Sequence, residues 1–309
     1  MPSHYFRFTR LQGMDRRRSA LLERLLARAN APMAVEDWRA DAFRVIAPPA
    51  TPLPAAAAAA LWADRGWVGA AAVLLATPVH YSAEMTNVRL PVDGLLSLQR
   101  AEAAALATDF NRVWHDAGIG LLAGQRADLF CIFDAPIDAA THDPEDVRGR
   151  HIDNHLPRGA DAARLRHLMS EMEMWLFEHA VNRSRIADGA RAVNGLWLWG
   201  GGAPLNKLPA VDGWTAGHDP LFKAFEAGPP GALKRGAGAL PGVVVSAAEP
   251  GTGEWRDMES QWLVPSCDAL RMRSISTLHL SAGGRCFSVG TRWSWRRWGR
   301  PRPWWESFA

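Results

Sequence analysis

The sequence predicts an α/β or α+β fold, in which helices pack over a mixed sheet and a β-hairpin closes the C-terminal part. Two segments, Arg100–His115 and Asp161–His179, repeat their apolar residues at helical spacing. A continuous apolar run, Val193–Trp199, is typical of a buried strand. Near the C-terminus, Ala282–Gly284 separates two strand-like segments, as in a hairpin.

The other elements follow from the same periodicities. In chain order, the sequence predicts helices over 16–30, 36–45 and 55–64, a strand over 67–75, an antiparallel pair over 118–124 and 128–133, a loop over 134–153, a helix over 219–227, a loop over 228–238, a strand over 243–246, a helix over 252–262, and hairpin strands over 274–280 and 285–291. No linker forces a boundary, so we expect a single domain, 1–309, with a helical N-terminal subregion, 1–64, as an option.

The central part of the chain has the strongest pattern. We expect the helix to begin after the N-cap Asp161 and to end near His179, followed by a polar turn, Asn182–Gly189. The run Val193–Trp199 has no polar alternation, which predicts an interior strand covered on both faces. The triple glycine that follows it is typical of a tight turn or of an anion-binding loop.

Composition limits the classes of protein. The chain of 309 residues is 48% hydrophobic and 22% charged, which suits a globular protein with a large core. Its three cysteines are widely spaced, so neither a disulfide framework nor a structural zinc site is expected, and the interpretation is a cytoplasmic protein. We expect no signal peptide and no membrane span, because no apolar run is long enough.

Motifs in the central part carry a family resemblance. The pattern Glu171-x-x-Met174, His179-Ala-Val-Asn182 and Asn194-Gly-Leu-Trp-Leu-Trp-Gly-Gly-Gly202 resembles the proteobacterial RpfE-type regulatory proteins, which often carry the name of cofactor-independent phosphoglycerate mutases. The resemblance covers roughly residues 20–300. The stretch Asn194 to Gly200, and later Pro250 to Gly253, resembles parts of the archaeal-type metal-dependent mutases of the alkaline-phosphatase superfamily.

Three functional hypotheses follow from these features. The leading hypothesis is a non-catalytic cytoplasmic protein that regulates or binds a small anion, with no catalytic residues, no metal and no cofactor. It rests on the resemblance and on the apparent lack of a nucleophile and of two-metal ligands in the sequence. The alternative is a metal-dependent phosphoglycerate mutase-like phosphotransferase of the alkaline-phosphatase superfamily. The second alternative is a nucleic-acid-binding module that uses the Arg/Trp-rich segment Thr291–Trp305. That segment also suits an anionic membrane surface, and a half-buried strand is the favoured interpretation.

If the chain binds a small anion, the glycine loop is the expected place. Its backbone N–H groups and Lys207 suit a phosphate- or carboxylate-bearing metabolite, and we expect the loop to lie near His179, Asn182 and His80. The predicted ligand-binding residues are His80, Glu171, His179, Asn182, Asn194, Gly200, Gly201, Gly202 and Lys207. For His179 and Asn182 the favoured interpretation is the C-terminal end of a helix. A protein partner is a further option, and nucleic acid is a weaker one.

The predicted loop 134–153 contains acidic and histidine side chains of the kind that bind metals. His142, Asp143, Glu145 and Asp146 lie close together in sequence, with His151 and Asp153 shortly after them. Their spacing matches no metal-binding motif, and we expect a solvated loop.

Overall fold

A computed structural model describes residues 2–11, 17–226, 240–291 and 302–308. The chain forms two compact units: one combines Met1–Leu53 with Pro209–Ala309, and the other is Pro54–Leu208. We call them the outer unit and the inner unit, after their places in the sequence. The expectation of a single domain stays a prediction.

The outer unit is built on a six-stranded mixed sheet with the order β10-β11-β1-β12-β13-β2. Its strands are β1 Ser3–Phe8, β2 Met33–Ala34, β10 Trp214–Gly217, β11 Gly242–Ser246, β12 Thr277–Ala282 and β13 Arg285–Gly290. The first four strands in that order run parallel, and β13 is antiparallel to both of its neighbours, β12 and β2. The predicted hairpin is confirmed as β12–β13, and the mixed α/β class is confirmed with it.

The helices of the outer unit bury apolar side chains against this sheet. They are α1 Ala20–Leu26, α2 Trp38–Ile46, α8 Pro220–Lys223, α9 Gly253–Met258, a π-helical turn Glu259–Leu263, α10 Val264–Arg271 and α11 Trp304–Phe308. One core cluster joins Phe6 and Phe8 of β1 to Leu22 of α1 and Trp255 of α9, each at most 2% exposed. The predicted loop 228–238 lies outside the described residues.

Strand β1 is the main element that the sequence did not predict. It lies between β11 and β12, and its residues from His4 to Phe8 are all buried. The apolar pattern is interrupted by His4 and Arg7, which are buried with polar partners supplied by distant segments. The polar residues interrupt the apolar pattern of the N-terminal stretch, although this stretch forms a central strand.

The inner unit contains a four-stranded sheet with the order β6-β7-β3-β9 and a small three-stranded sheet, β4-β5-β8. Its strands are β3 Ala72–Val79, β4 Ser82–Ala83, β5 Val88–Leu90, β6 Ile119–Ala123, β7 Leu129–Phe133, β8 Arg150–His151 and β9 Gly195–Gly202. The pairs in both sheets are antiparallel.

The helices of the inner unit cover the larger sheet. They are α3 Ala56–Arg65, α4 Arg100–Val113, α5 Pro144–Val147, a 3₁₀ turn Asp153–His155, α6 Ala162–Phe177 and α7 Ala180–Ala187. A capping box between Gln99 and Glu102 begins α4. Helix α6 buries Leu165, Leu168, Met172 and Leu176 in one core with the sheet.

Strand β9 agrees with its predicted burial but not with its predicted place. Leu196 and Leu198 face the α6 core, and Trp197 and Trp199 face the other side, where the four side chains are at most 5% exposed. The predicted interior position is wrong, because β9 is an edge strand that pairs with β3. A continuous apolar run indicates that both faces of a strand are covered, but it does not indicate how many other strands pair with it.

Candidate functional site

His80 and Asn194 lie at one end of the β3–β9 pair, where β3 ends and β9 begins. The His80 Nδ1 donates to the carbonyl of Ala192, 2.8 Å away. The Asn194 side chain binds the backbone of Tyr81 twice: its Oδ1 accepts from the Tyr81 N–H at 2.6 Å and its Nδ2 donates to the Tyr81 carbonyl at 2.9 Å. These bonds join the two segments that leave the sheet.

Asn182 is buried close to the same end and makes three hydrogen bonds. Its Nδ2 donates to the carbonyls of Leu176 and Val193, both at 2.7 Å, and its Oδ1 accepts from the Val193 N–H at 2.8 Å. The side chain therefore connects the end of α6 to the residue that precedes Asn194. Both amide hydrogens and the oxygen are engaged within the protein.

His179 begins a second helix and does not end the first. The predicted polar turn Asn182–Gly189 is wrong, since the chain continues as α7 over Ala180–Ala187. The His179 Nδ1 accepts the Val181 N–H at 3.1 Å, which is an N-cap bond, and its Nε2 lies 3.1 Å from the Asp109 carboxylate. Because Nδ1 accepts, the neutral ring carries its proton on Nε2. Burial lowers the pKa of His179 and outweighs the Asp109 carboxylate, which raises it.

Glu171 and Lys207 are not bonded to His80, Asn182 or Asn194 in the described part of the chain. Glu171 is half-exposed on α6, where its carboxylate lies 3.3 Å from the His167 Nε2 one turn earlier. Lys207 is exposed in the segment after β9. Neither side chain has a bond in the described part of the chain that connects it to His80, Asn182 or Asn194.

The three glycines lie at the opposite end of β9 from His80 and Asn194. In the antiparallel register Gly195 is opposite Val79, and Gly202 is opposite Val73. Seven residue steps separate the two ends, which is about 23 Å in an extended strand. The structure therefore brings His80, Asn182 and Asn194 together and places Gly200–Gly202 elsewhere, against the expected proximity. Binding of a ligand at any of these residues stays a prediction.

Close packing accounts for the glycines themselves. Gly200 has φ +67°, and a Cβ on Gly202 would lie 2.5 Å from the Ala55 Cβ, at the start of α3. A Cβ on Gly201 would lie 2.9 Å from the Leu74 Cγ. The glycines let β9 pass close to neighbouring chain, which is the turn-and-packing alternative that the sequence left open.

The acidic loop folds into caps and ion pairs. The Asp143 Oδ1 accepts from the Glu145 N–H at 2.9 Å and begins α5, and the Glu145 carboxylate lies 3.0 Å from Arg148. The His142 Nδ1 donates to the His155 carbonyl at 2.9 Å. Across the described ranges, no three His, Cys, Asp or Glu side chains are grouped where they could hold a metal ion.

A polar group at the carboxyl ends of the parallel strands of the outer unit was not predicted. We call Thr9 and His218 the strand-end cluster, and Arg7 and Arg10 are close to Thr9 in the sequence. Thr9 and Arg10 follow β1, and His218 follows β10. The Thr9 Oγ1 lies 3.3 Å from the His218 Nε2. Ligands of open parallel sheets bind outside the carboxyl ends of the strands, but this signal requires knowing that β1 is a strand.

Two remaining expectations concern the C-terminus and membranes. Most of the Arg/Trp-rich tail, residues 292–301, lies outside the described residues. Within the described part, Trp304 is buried and its Nε1 donates to the Arg17 carbonyl at 2.8 Å. Among the helices that the structure describes, none has both the length and the apolar character needed to cross a membrane.

Comparison with known proteins places part of the chain close to one class of enzyme. No family model matches. Three relatives are 2,3-bisphosphoglycerate-independent phosphoglycerate mutases, the one from Geobacter sulfurreducens being named as probable. The chain is 43% identical to the Methanothrix thermoacetophila protein over 72 residues, which cover 23% of this chain and 18% of that protein. It is 30% identical to the Geobacter protein over 141 residues and 28% identical to the Methanosarcina mazei protein over 147 residues. Each of these two matches covers 45% of this chain and 33% of the relative.

These matches show that part of the chain is similar to phosphoglycerate mutases. More narrowly, the similarity is to the cofactor-independent, archaeal type, as the motifs implied. The matched stretches span no more than a third of those relatives. A solved cofactor-independent phosphoglycerate mutase from Thermoplasma acidophilum covers 93% of this chain, and the match covers 89% of that structure, with a TM-score of 0.37 and 13% identity. That likeness is too low to support an inference.

The comparisons correct the leading functional hypothesis. A non-catalytic regulatory or small-anion-binding protein was predicted from the apparent lack of catalytic residues in the sequence. The reported relatives all carry the name of an enzyme, so the comparisons favour the alternative, a mutase-like phosphotransferase. The sequence argument failed because it rested on what was missing, whereas the similarity extends over 45% of the chain.

Proposed function

We propose that the protein is a phosphotransferase of the phosphoglycerate mutase type, which moves a phosphoryl group between two hydroxyl oxygens of a phosphoglycerate. The observation that supports this proposal is the similarity of 141 residues, at 30% identity, to a probable 2,3-bisphosphoglycerate-independent mutase. The substrate and activity of the whole protein are proposals, because the match covers a third of that relative.

The metal ions that the superfamily uses require a set of ligands that can be sought among the described residues. The resemblance to alkaline-phosphatase-type mutases implies two divalent ions, which need about six Asp and His ligands. The described ranges contain no group of three such side chains arranged for a metal. The described residues therefore do not fit the metal pair, and we derive no step through it.

The finer assignments belong to the same proposal. We propose that the chain is an RpfE-type member of the mutase-like proteins, on the motifs from Glu171 to Gly202, and that it works in the cytoplasm. Its partner in this proposal is a phosphoglycerate, which is a small metabolite bearing both phosphate and carboxylate. Binding of a protein or a nucleic acid stays a prediction.

The proposal is tested by following the reaction directly. The purified full chain is incubated with 3-phosphoglycerate, and formation of 2-phosphoglycerate is followed by ³¹P NMR, first without added metal and then with Mn²⁺. We expect conversion without added 2,3-bisphosphoglycerate, in fractions that coincide with the protein peak in size-exclusion chromatography. No conversion in either condition, or activity that separates from the protein peak, would contradict the proposal.

A further inference from the structure

We propose that the exposed face of helix α6 binds the same face of a second copy of this chain, with the two helices antiparallel. Helix α6 covers Ala162–Phe177 and buries one apolar side in the core of the inner unit. On the opposite side, Met174 is 70% exposed and Phe177 is 82% exposed. The inference does not depend on the proposed function, because it concerns only this surface and its charges.

The exposed residues of α6 recur at the spacing found where two helices pack along a seam. Intervals of four and three residues separate the members of this stripe, which are Ala163, His167, Ser170, Met174 and Phe177. All of them are exposed. The helix is about 24 Å long, and the stripe extends along its whole length. Ala163, near the beginning, is small, whereas the two residues at the end are large and apolar.

An antiparallel second copy matches these large residues to small ones. In one register, Met174 lies beside Ala163 of the second copy, and Phe177 lies beside Ala160, in the exposed turn that precedes α6. Because the pair has two-fold symmetry, each contact occurs twice. Large apolar side chains from both copies therefore leave water together, which is the main source of binding free energy at such a surface.

Charges on the two edges of the stripe favour the same register. Arg166 and Glu173 lie along one edge, and Arg164 and Glu171 lie along the other. In a two-fold antiparallel pair, each edge faces the same edge of the second copy. Arg166 then lies beside Glu173 of the second copy. On the other edge, Arg164 lies beside Glu171, so both edges join opposite charges.

Other arrangements of the two helices oppose like charges. A shift of one heptad towards the C-terminal ends would place Glu171 beside Glu171 of the second copy and Glu173 beside Glu173. A parallel pair would place Glu173 beside Glu178. Like charges in contact disfavour these pairings. The face is therefore complementary to itself in one orientation, and a second copy is the partner that it fits.

Local contacts leave these charged groups able to pair between copies. The Glu173 carboxylate has no ion-pair partner among the described residues. The Arg166 Nη1 donates to the Pro157 carbonyl at 3.3 Å, and a guanidinium has further N–H groups for a carboxylate. Arg166 and Glu173 are seven residues apart, or about 10 Å along the helix, so they do not pair within one helix.

The experiment measures the mass of the full chain by sedimentation equilibrium. We expect a monomer–dimer equilibrium with a dissociation constant on the order of 10 µM, because one helix pair is a small interface. Phe177→Ser should weaken dimerisation at least ~10-fold. The matched control is Ile186→Ser, which removes an apolar side chain that is 63% exposed on α7, outside the stripe. It should leave the dissociation constant unchanged.

Charge reversal distinguishes this pairing from other dimers. Arg166→Glu alone brings carboxylates together between the copies, and Glu173→Arg alone brings guanidinium groups together. Each variant should therefore dimerise at least ~10-fold more weakly than wild type. An equimolar mixture of the two variants restores opposite charges at both contacts, and it should recover the dissociation constant to within ~3-fold of wild type. Circular dichroism of each variant checks that the exposed substitution leaves the fold intact.

Each outcome decides the proposal. A wild type that stays monomeric up to ~100 µM would refute it. A dimer that neither charge reversal weakens would also refute it, because the interface would lie elsewhere on the chain. Weakening in both single variants without recovery in their mixture would overturn the antiparallel register. None of these readouts involves turnover, so they are independent of the test of the proposed function.

Discussion

Three asparagines in the inner unit make the same bond and differ in burial. Asn182, Asn194 and Asn111 each bind both the N–H and the carbonyl of one residue that lies at or next to a strand: Val193, Tyr81 and Leu121, in that order. The six distances range from 2.6 to 2.9 Å. Asn182 is 4% exposed, Asn194 is half-buried and Asn111 is exposed. The series therefore compares one pair of bonds at three degrees of burial, and Asn182 adds a third bond, from Nδ2 to the Leu176 carbonyl.

We predict that replacement by alanine costs most at Asn182. The variant loses three hydrogen bonds, at about 1 kcal/mol each, and leaves the Val193 N–H and two carbonyls buried without the side chain. The expected loss is about 4 kcal/mol for Asn182→Ala. At Asn111 water replaces the side chain, so the loss should be about 0.5 kcal/mol. Asn194→Ala should lie between them.

The assay is native-state hydrogen exchange read by mass spectrometry on peptides that contain β9. This measurement reports the opening free energy of the inner unit alone, whereas a fluorescence melt would mix the tryptophans of both units. Asn111→Ala is the matched control, since both asparagines are helical and bind one residue's backbone twice. Equal losses at Asn111 and Asn182, or a loss below about 1 kcal/mol at Asn182, would refute the reasoning from burial.

Three further predictions follow from single contacts. Leu198→Asp buries a carboxylate in the core of the inner unit and should cost about 4 kcal/mol or more by the same exchange assay, whereas Asp at the exposed Val113 should cost little. Gly217→Ala places a Cβ 1.9 Å from the Val245 oxygen, and we expect a loss of about 3 kcal/mol in chemical denaturation of the outer unit; wild-type stability would contradict the strand-end geometry. Burial lowers the pKa of His4 from 6.5 to about 4, so the neutral ring is favoured in the folded state. The contribution of the neutral His4 ring to the free energy of unfolding is complete above pH 6.5, and about 3 kcal/mol of it is lost as the pH falls towards 4. Denaturation of wild type and His4→Gln at pH 7 and pH 4 should show that difference.

Local patterns were sufficient to predict the two longest helices, α4 and α6, and about half of the strands. The apolar spacing of α4 and α6 and the glycines between β12 and β13 are determined within a few residues of sequence. The burial of β9 on both faces was also legible, because Leu196 to Trp199 contain no polar residue. The edge position of β9 depends on which strands pair, and pairing joins segments more than 100 residues apart.

Buried polar residues account for the two misread elements. The His4 Nδ1 lies 2.8 Å from the Ser266 hydroxyl, 262 residues away, so the sequence around β1 does not show that this histidine has a partner. Helix α7 contains Asn182 and Ser184, which favour a turn. It forms because His179 caps it and Asn182 binds the backbone of Val193. In both cases a distant partner decides the structure.

The candidate site required the same long-range information. His80, Asn182 and Asn194 were singled out by motif, and the structure brings them together through backbone bonds. The prediction placed the glycines beside these residues because they follow strand β9. Strand β9 runs antiparallel to β3, so the end of β3 next to His80 lies beside the beginning of β9, and the glycines lie at the other end. Proximity in sequence was therefore a poor guide along β9.

The strand-end cluster joins segments of the chain that no reported sequence match spans together. Thr9 and His218 are 209 residues apart, and Arg7 and Ser281 are 274 apart, whereas the longest reported sequence match aligns 147 residues. No stretch of that length contains both members of either pair. The N-terminal and C-terminal segments come together here because β1 lies between β11 and β12, which come from the last third of the sequence. The contacts at this end of the sheet are therefore seen in the fold of the outer unit and not in the aligned stretch.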